Sequence, residues 1–274
     1  MIDKEKPEVC ISISSSPGTF GETVHNSSYK FHKINFLYKA IKTEDLRRTI
    51  NSIRKLDVKG CSVSMPFKEK VIKYLDKVDP IAKKVGAVNT VLNKNKKLVG
   101  FNTDVFGASK ALDYLKLKST DSVLILGAGG VSRAIIVALK KMKVRKLIIC
   151  NRNSRKSIKL GKLFKCDVED WNNRNDIKTD VLINATSIGM LNNKSTPINK
   201  KSIRNFNKIM DVVVSNKDTA IIKEAKKLNI SNVSGITMTF YQATEQYKIY
   251  TGLKAPIKTM LSAYNKKNSS NIII

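Results

Sequence analysis

Residues 122–151 run strand, glycine turn, helix, strand, and that series constrains this chain more than any other stretch. SVLILG (122–127) is a short apolar run, VSRAIIVALKKM (131–142) has helical periodicity, and KLIICN (146–151) is apolar again. A strand that passes through a helix and returns as a neighbouring strand makes a parallel pair. The same alternation continues with a helix at 154–164 and strands at 179–186, 208–214 and 232–235. This predicts α/β architecture with a parallel, doubly wound sheet.

The first hundred residues also alternate. Strands are predicted at 9–14, 35–41, 60–65, 87–93 and 97–101, with helical patterns between them. The helix at 43–56 opens on Thr43 as N-cap and places Leu46, Ile50, Ile53 and Leu56 on one face. A helix at 67–78 follows Pro66, a residue type favoured in the first helical turn. A helix at 105–117 opens the second series, and two helices, 237–252 and 255–267, close the chain. At 274 residues the chain suits two domains. One is expected to hold 1–103 plus 237–274, and the other 104–236.

The formal net charge is +29, from 51 Lys plus Arg against 22 Asp plus Glu. Such a balance raises the possibility of a nucleic-acid or membrane-surface partner. Only nine of the basic residues are Arg, the better residue for bidentate contacts. The Lys runs are scattered and are not interleaved with stacking aromatics, so solvated helix faces and loops are the better reading. Four Cys lie far apart without C-x-x-C spacing, and two His are too few for a typical metal site. Reduced thiols and no metal are expected. The N-terminal residues carry acidic side chains and no apolar core, so no signal peptide is expected, and the most apolar stretch, 123–139, falls short of a membrane span. The expectation is a cytoplasmic protein without a specific nucleic acid, monomeric or homodimeric.

Within LGAGGVSRA (126–134), Gly127 permits a tight turn and Gly129 allows the backbone to approach a pyrophosphate. Gly127, Ala128, Gly129, Gly130 and Val131 are the candidate phosphate cradle. Ser132 stands where a small residue allows close helix–strand packing, and the helix start offers free N–H groups. An NAD site usually carries an acidic residue at the end of the next strand. Here Asn151 and Arg152 stand there, with Arg155 and Lys156 one turn on. A guanidinium grips a 2′-phosphate, so the expected cofactor is NADP(H).

Hydride transfer to or from an alcohol carbon needs a proton donor or acceptor at its oxygen. Neither His lies near the cofactor segment, which directs attention to Lys68 in SVSMPFKE (62–69) and Asp104 at the end of GFNTD (100–104). The predicted helix start would set Lys68 against a positive dipole end, favouring the uncharged amine, while a nearby carboxylate would orient the ammonium.

Several segments in one order resemble the shikimate dehydrogenase family, and the resemblance spans nearly the whole chain. They are HN (25–26), SVSMPFKE, GAVNTV (86–91), GFNTDVFG (100–107), LGAGGVSRA, CNRNSRK (150–156), NATSIGM (184–190) and GITMTFYQA (235–243). Together with PGTFGETVHN (17–26), they are most similar to a shikimate dehydrogenase-like subgroup. The resemblance implies two α/β domains, a substrate domain and a Rossmann-type NADP domain, with the active site in the cleft between them. It implies reversible reduction of 3-dehydroshikimate to shikimate by NADPH. Lys68 would be the general acid/base, paired with Asp104 at the substrate hydroxyl. Thr19, Ser64, Asn89, Asp104 and Gln242 would bind substrate, and Gly235 would border the nicotinamide. His25 would bond a backbone group near the substrate loop, and His32 would be an ordinary surface or core position.

The pattern also departs from the family. Where the family has S-x-S-P before His-Asn, this chain has Thr19-Phe20-Gly21-Glu22. Thr19 keeps one carboxylate-binding hydroxyl, Gly21 removes the other, and Glu22 adds a negative charge. The family's Tyr after the strand at 208–214 is Val214, followed by Ser215-Asn216. Each lost bond to a carboxylate costs roughly 1.5–3 kcal/mol. Quinate or another small hydroxy acid is therefore an alternative substrate. A cofactor-binding protein of little activity, and a basic nucleic-acid-binding protein on a Rossmann scaffold, are the readings from other classes.

Overall fold

A computed structural model describes residues 6–190, 194–215, 217–270 and 272. They form two units: one holds the described residues up to Thr103 together with those from Gln242 onward, the other Asp104–Tyr241.

The first unit begins with β1 (Glu8–Ser14), α1 (Phe20–Phe31), β2 (Phe36–Lys42), α2 (Leu46–Lys55) and β3 (Gly60–Val63). A 3-10 turn (Lys70–Tyr74), β4 (Lys77–Val78), α3 (Pro80–Val85), β5 (Thr90–Lys94) and β6 (Lys97–Phe101) follow. The strands form one sheet in the order β2-β1-β3-β5-β6-β4, with β5 antiparallel to both its neighbours. Successive side chains of a strand face opposite ways, so β1 serves two layers. Ile11 and Ile13 join an aliphatic core with Ile50 and Ile53 of α2, Val63 and Val91. Cys10 joins an aromatic core with Tyr29, Tyr38, Tyr247 and Tyr250.

Two local expectations fail here. The N-cap of α2 is Asp45, whose carboxylate accepts from the Arg48 N–H at 3.0 Å. Asp45 directly precedes the first helical residue, the position from which a side chain reaches the orphan N–H groups, whereas Thr43 lies two residues too early. The helix expected at 67–78 is a turn, the 3-10 turn and β4. The Lys68 carbonyl accepts from the Val88 N–H at 2.8 Å. Farther on, the Asp76 carboxylate takes the Leu98 N–H at 2.6 Å and Arg54 at 2.7 Å. These long-range bonds draw the chain onto the edge of β6 and override the local helical pattern. Pro66 follows a cis Met65–Pro66 bond and opens no helix.

The second unit contains α4 (Asp104–Tyr114), β7 (Ser122–Leu126), α5 (Gly130–Lys141), β8 (Lys146–Cys150), α6 (Ser154–Phe164) and β9 (Asp167–Glu169). Next come a 3-10 turn (Trp171–Asn175), β10 (Val181–Asn184), a further 3-10 turn (Lys200–Asn205), β11 (Lys208–Asp211), α7 (Ala220–Lys227) and β12 (Ser231–Val233). The unit boundary falls inside α8 (Gly235–Thr251), and α9 (Ile257–Asn268) closes the chain. The sheet order is β12-β11-β10-β7-β8-β9 and every pairing is parallel, as the sequence series predicts. β9 was not legible in the sequence, since its three residues DVE carry no apolar run. Strand order reverses at β7, whose residues are all buried. In such sheets, ligands bind beyond the carboxyl ends of the strands at that reversal.

No helix among the described residues is long and apolar enough to cross a membrane. The four cysteines are free. Burial pushes the Cys10 thiol up to about 12, which suppresses thiolate chemistry there.

Candidate active site

In the first unit, hydrogen bonds gather several candidate residues at one end of the sheet. The Ser64 N–H donates to the Ile13 carbonyl at 2.9 Å, and the Val63 N–H to the Asn89 carbonyl at 2.8 Å. With the Lys68–Val88 bond, these tie the segment after β3 to the end of β1 and the start of β5. Asn89 is buried, and its Oδ1 accepts from the Thr103 N–H at 2.8 Å and the Thr90 hydroxyl at 2.9 Å. Its Nδ2 donates to Gln242 Oε1 at 3.4 Å, and the Thr103 hydroxyl donates to the same oxygen at 3.2 Å. Asn89 and Gln242, 153 residues apart in sequence, thus belong to one polar cluster. Gln246, one turn beyond Gln242, extends it by donating to Thr90 Oγ1 at 3.0 Å and Ser62 Oγ at 3.1 Å. The sequence reading missed Thr103 and Gln246. Nothing local marks them, because their partners lie far away along the chain.

Thr19 is exposed at the N-cap of α1, and its hydroxyl makes no capping bond. Gly21 has a steric reason: a Cβ there would fall 2.8 Å from Cε1 of buried Tyr38. Glu22 is drawn away from solvent, its carboxylate accepting the Ala40 N–H of β2 at 3.0 Å. Ser64 is exposed and Lys68 half-buried. The dipole argument for Lys68 fails, because Lys68 lies in a turn before the 3-10 segment and no α-helix starts there.

His25 corrects a further expectation. It bonds no backbone group among the described residues: its ring is completely buried, and neither nitrogen makes a hydrogen bond of good geometry there, Gln246 being the polar side chain that approaches it. It stacks on Tyr38 at 4.5 Å between ring centroids. Burial, opposed in part by Gln246, pushes its pKa down to about 3. His32 is half-buried, its Nδ1 lying 3.0 Å from the Tyr247 hydroxyl.

In the second unit a cavity of about 500 Å³ opens beyond β7, β8 and β10, at the reversal of strand order. It is lined by Gly127–Gly129, Asn151–Asn153, Lys156, Trp171, Arg174 and Ala185–Ile188. Gly127 has φ +115°, and a Cβ there would lie 2.6 Å from the Ala185 carbonyl oxygen. Only glycine fits that turn. A Cβ on Gly129 would meet nothing within 4 Å, so its backbone faces open space. Gly130 and Val131 form the first turn of α5. Ser132 is buried, and its hydroxyl accepts the Gly129 N–H at 3.2 Å, a bonding role beyond the packing role expected of a small residue. Arg152 and Lys156 line the cavity, and Arg155, exposed on α6, does not. At the helical period, a residue one position from Lys156 faces elsewhere.

A buried network holds the wall formed by 185–188. Asp211 is fully buried, and its carboxylate accepts from Asn184 Nδ2 at 2.9 Å, the Val213 N–H at 3.1 Å and the Thr219 hydroxyl. Burial raises its pKa against those three donors. Asn184 Oδ1 in turn accepts the Thr186 N–H at 3.1 Å and the Thr186 hydroxyl at 2.7 Å, and Thr186 Oγ1 accepts the Ile188 N–H at 3.1 Å. The sequence reading assigned none of these roles. At Gly235 the start of α8 approaches the Val212 and Val213 backbone so closely that a Cβ would strike the Val212 carbonyl. Asp104 is the first residue of α4, 6% exposed, in the second unit. Val214 is exposed, and Asn216 lies outside the described residues. No group of three or more metal-ligating side chains occurs among the described residues.

A parallel sheet with its glycine turn at the strand reversal and cationic side chains lining the adjoining cavity defines a dinucleotide-binding unit of the Rossmann type. It is joined to a mixed-sheet α/β unit carrying the Asn89–Gln242 cluster. Comparison with known proteins matches residues 10–91 to the shikimate dehydrogenase substrate binding domain, 108–233 to shikimate / quinate 5-dehydrogenase, and 235–263 to the shikimate 5'-dehydrogenase C-terminal domain. The chain belongs to the shikimate dehydrogenase family of oxidoreductases, which use a nicotinamide cofactor. It is 35% identical over 254 residues to a shikimate dehydrogenase-like protein of Haemophilus influenzae, covering 92% of this chain and 93% of that one. It is 33% identical to the shikimate dehydrogenase (NADP(+)) of Methanococcus aeolicus, covering 88% and 90%. A shikimate dehydrogenase crystallised in complex with NADP+ is 29% identical, with a TM-score of 0.87 and 97% of each chain covered.

Proposed function

We propose that the protein is an NADP-dependent shikimate dehydrogenase that interconverts 3-dehydroshikimate and shikimate. The cofactor reading rests chiefly on the cavity of the second unit. Arg152 stands where an NAD site carries a carboxylate and lines the cavity with Lys156, and neither has a carboxylate partner among the described residues. Gly127–Gly129 and the first turn of α5 would hold the pyrophosphate, and Asn151, Arg152 and Lys156 the phosphorylated adenosine. Gly235 would border the nicotinamide. When bound, the cofactor supplies or accepts the hydride.

The chain's own groups have the remaining tasks. Lys68 donates a proton to the carbonyl oxygen during reduction and takes it back during oxidation, with Asp104 as its carboxylate partner. Asn89 and Gln242 orient the substrate's hydroxyls; both belong to the hydrogen-bonded cluster around Thr103. Ser64 and Thr19 supply hydroxyl donors. Gly21 favours a second reading, because Tyr38 leaves no room there for a side chain that would donate to a substrate carboxylate. On that reading the substrate is quinate or another small hydroxy acid.

The test is reduction of NADP+ and NAD+ measured against shikimate, quinate and a panel of hydroxy acids. Shikimate with NADP+ should give the highest kcat/KM. A higher value with another acid would move the assignment to that substrate, and no reduction with any of them would refute dehydrogenase activity on this class.

A further inference from the structure

The cavity of the second unit holds a third cation that the sequence reading did not single out. Arg174 belongs to the 3-10 turn Trp171–Asn175, beyond the edge strand β9, and lines the same cavity as Arg152 and Lys156. Its guanidinium is locked. Nε donates to the Pro197 carbonyl at 2.8 Å, and Nη1 to the Trp171 carbonyl at 2.7 Å. Its carbon lies 4.4 Å from the centroid of the Trp171 ring, a cation–π stack. This leaves the two N–H groups of Nη2 without a protein acceptor among the described residues.

The charges around it make an anion the fitting occupant. Arg152, Lys156 and Arg174 form no ion pair among the described residues. The nearby Asp170 carboxylate is engaged with the Asn172 N–H at 2.8 Å. Three cations lining one cavity repel each other, and an anion bound there relieves that repulsion. A fork fixed in advance by two backbone carbonyls and a ring loses little freedom on binding.

We infer that Arg174, held over Trp171, is a specificity-determining contact to the 2′-phosphate of the bound dinucleotide, acting with Arg152 and Lys156. The inference rests on the proposal that this cavity takes NADP. Two backbone anchors hold Arg174, whereas Arg152 is exposed and forms no side-chain hydrogen bond within the described residues.

Trp171 is the single tryptophan of the chain, so its fluorescence reports directly on the cavity. The intact protein is titrated with 2′,5′-ADP, 5′-AMP, NADP+ and NAD+, following that emission with calorimetry in parallel. Arg174→Gln should weaken 2′,5′-ADP and NADP+ by roughly 10- to 100-fold. Binding of 5′-AMP and NAD+ should change less than about twofold, because they lack the phosphate. Arg174→Lys keeps the charge without the fixed fork and should fall between. An Arg174→Gln protein that keeps wild-type affinity for 2′,5′-ADP overturns the inference, as does an equal loss for all four ligands. If the wild type itself shows no preference for the 2′-phosphorylated ligands, the NADP reading falls and this inference with it. A wild-type preference that Arg174→Gln leaves intact refutes only the role of Arg174.

Discussion

Lowering the pH from 7 to 5 should destabilise the first unit by about 2 kcal/mol through His25 alone. In the unfolded chain the imidazole titrates at its ordinary value of 6.5, while in the folded unit burial holds it near 3. The unfolded state therefore binds a proton throughout the interval between those values and the folded state does not. The stability is fully present above 6.5 and falls as the pH drops, by about 1.4 kcal/mol per unit. From 6.5 to 5 that amounts to about 2 kcal/mol, a large share of the roughly 5–15 kcal/mol of a typical domain. The control is His25→Phe. Neither ring nitrogen makes a hydrogen bond of good geometry among the described residues, and the ring stacks on Tyr38, so Phe keeps the packing and gives up only the polar approach of Gln246. The assay is urea unfolding at pH 7 and pH 5, followed by tyrosine near-UV dichroism. Tyr29, Tyr38, Tyr247 and Tyr250 all lie in this core, whereas Trp171 emission reads the other unit. The wild type should lose about 2 kcal/mol more than His25→Phe over that interval. Equal losses, or a His25 ring that titrates near 6.5 by NMR in the folded protein, would refute the reasoning.

Gly127→Ala should cost about 1–3 kcal/mol from backbone strain alone, since φ is +115°. Its new methyl also meets the Ala185 carbonyl, so thermal unfolding should drop and NADP+ titration should weaken. Asp211→Ala orphans three buried donors and should cost about 3–5 kcal/mol, with a raised KM for NADP+ as the 185–188 wall loosens. Asp211→Asn should restore most of that loss. Because burial raises the Asp211 pKa, the wild type should gain stability relative to Asp211→Asn as pH falls through that raised value. Lys68→Ala should lower kcat by about 10²–10⁴-fold with NADP+ affinity unchanged, as stopped-flow and binding titrations would show. Arg152→Asp should move the kcat/KM ratio from NADP+ towards NAD+, and an unmoved ratio would make Arg152 only a surface charge.

The elements legible in the sequence are those whose signal is local. The run of β7, glycine turn and α5 is written in consecutive residues, because a strand's apolarity, a turn's glycine and a helix's period need no distant partner. Lys68 was named through its motif, yet the helix assigned around it does not exist. The Lys68 carbonyl is claimed by Val88, and Asp76 by Leu98 and Arg54, and no window of neighbours contains those bonds. Thr43 shows the same limit at finer scale: the local pattern marks it as the cap, and the structure caps α2 with Asp45, two residues on.

By itself, then, the sequence determined the α/β class, the parallel order of the second sheet around its glycine turn, and the cationic residues that stand where an NAD site has a carboxylate. Only the tertiary structure decided which residues meet. It joined Gln242 to Asn89, buried His25 among tyrosines, braced the 185–188 wall on Asp211, and put Arg174 beside Arg152 and Lys156. The physical reason is one of range. Propensity and periodicity act over a few residues, whereas hydrogen bonds and charge interactions act across whatever distance folding closes, and the chain does not record that closure locally.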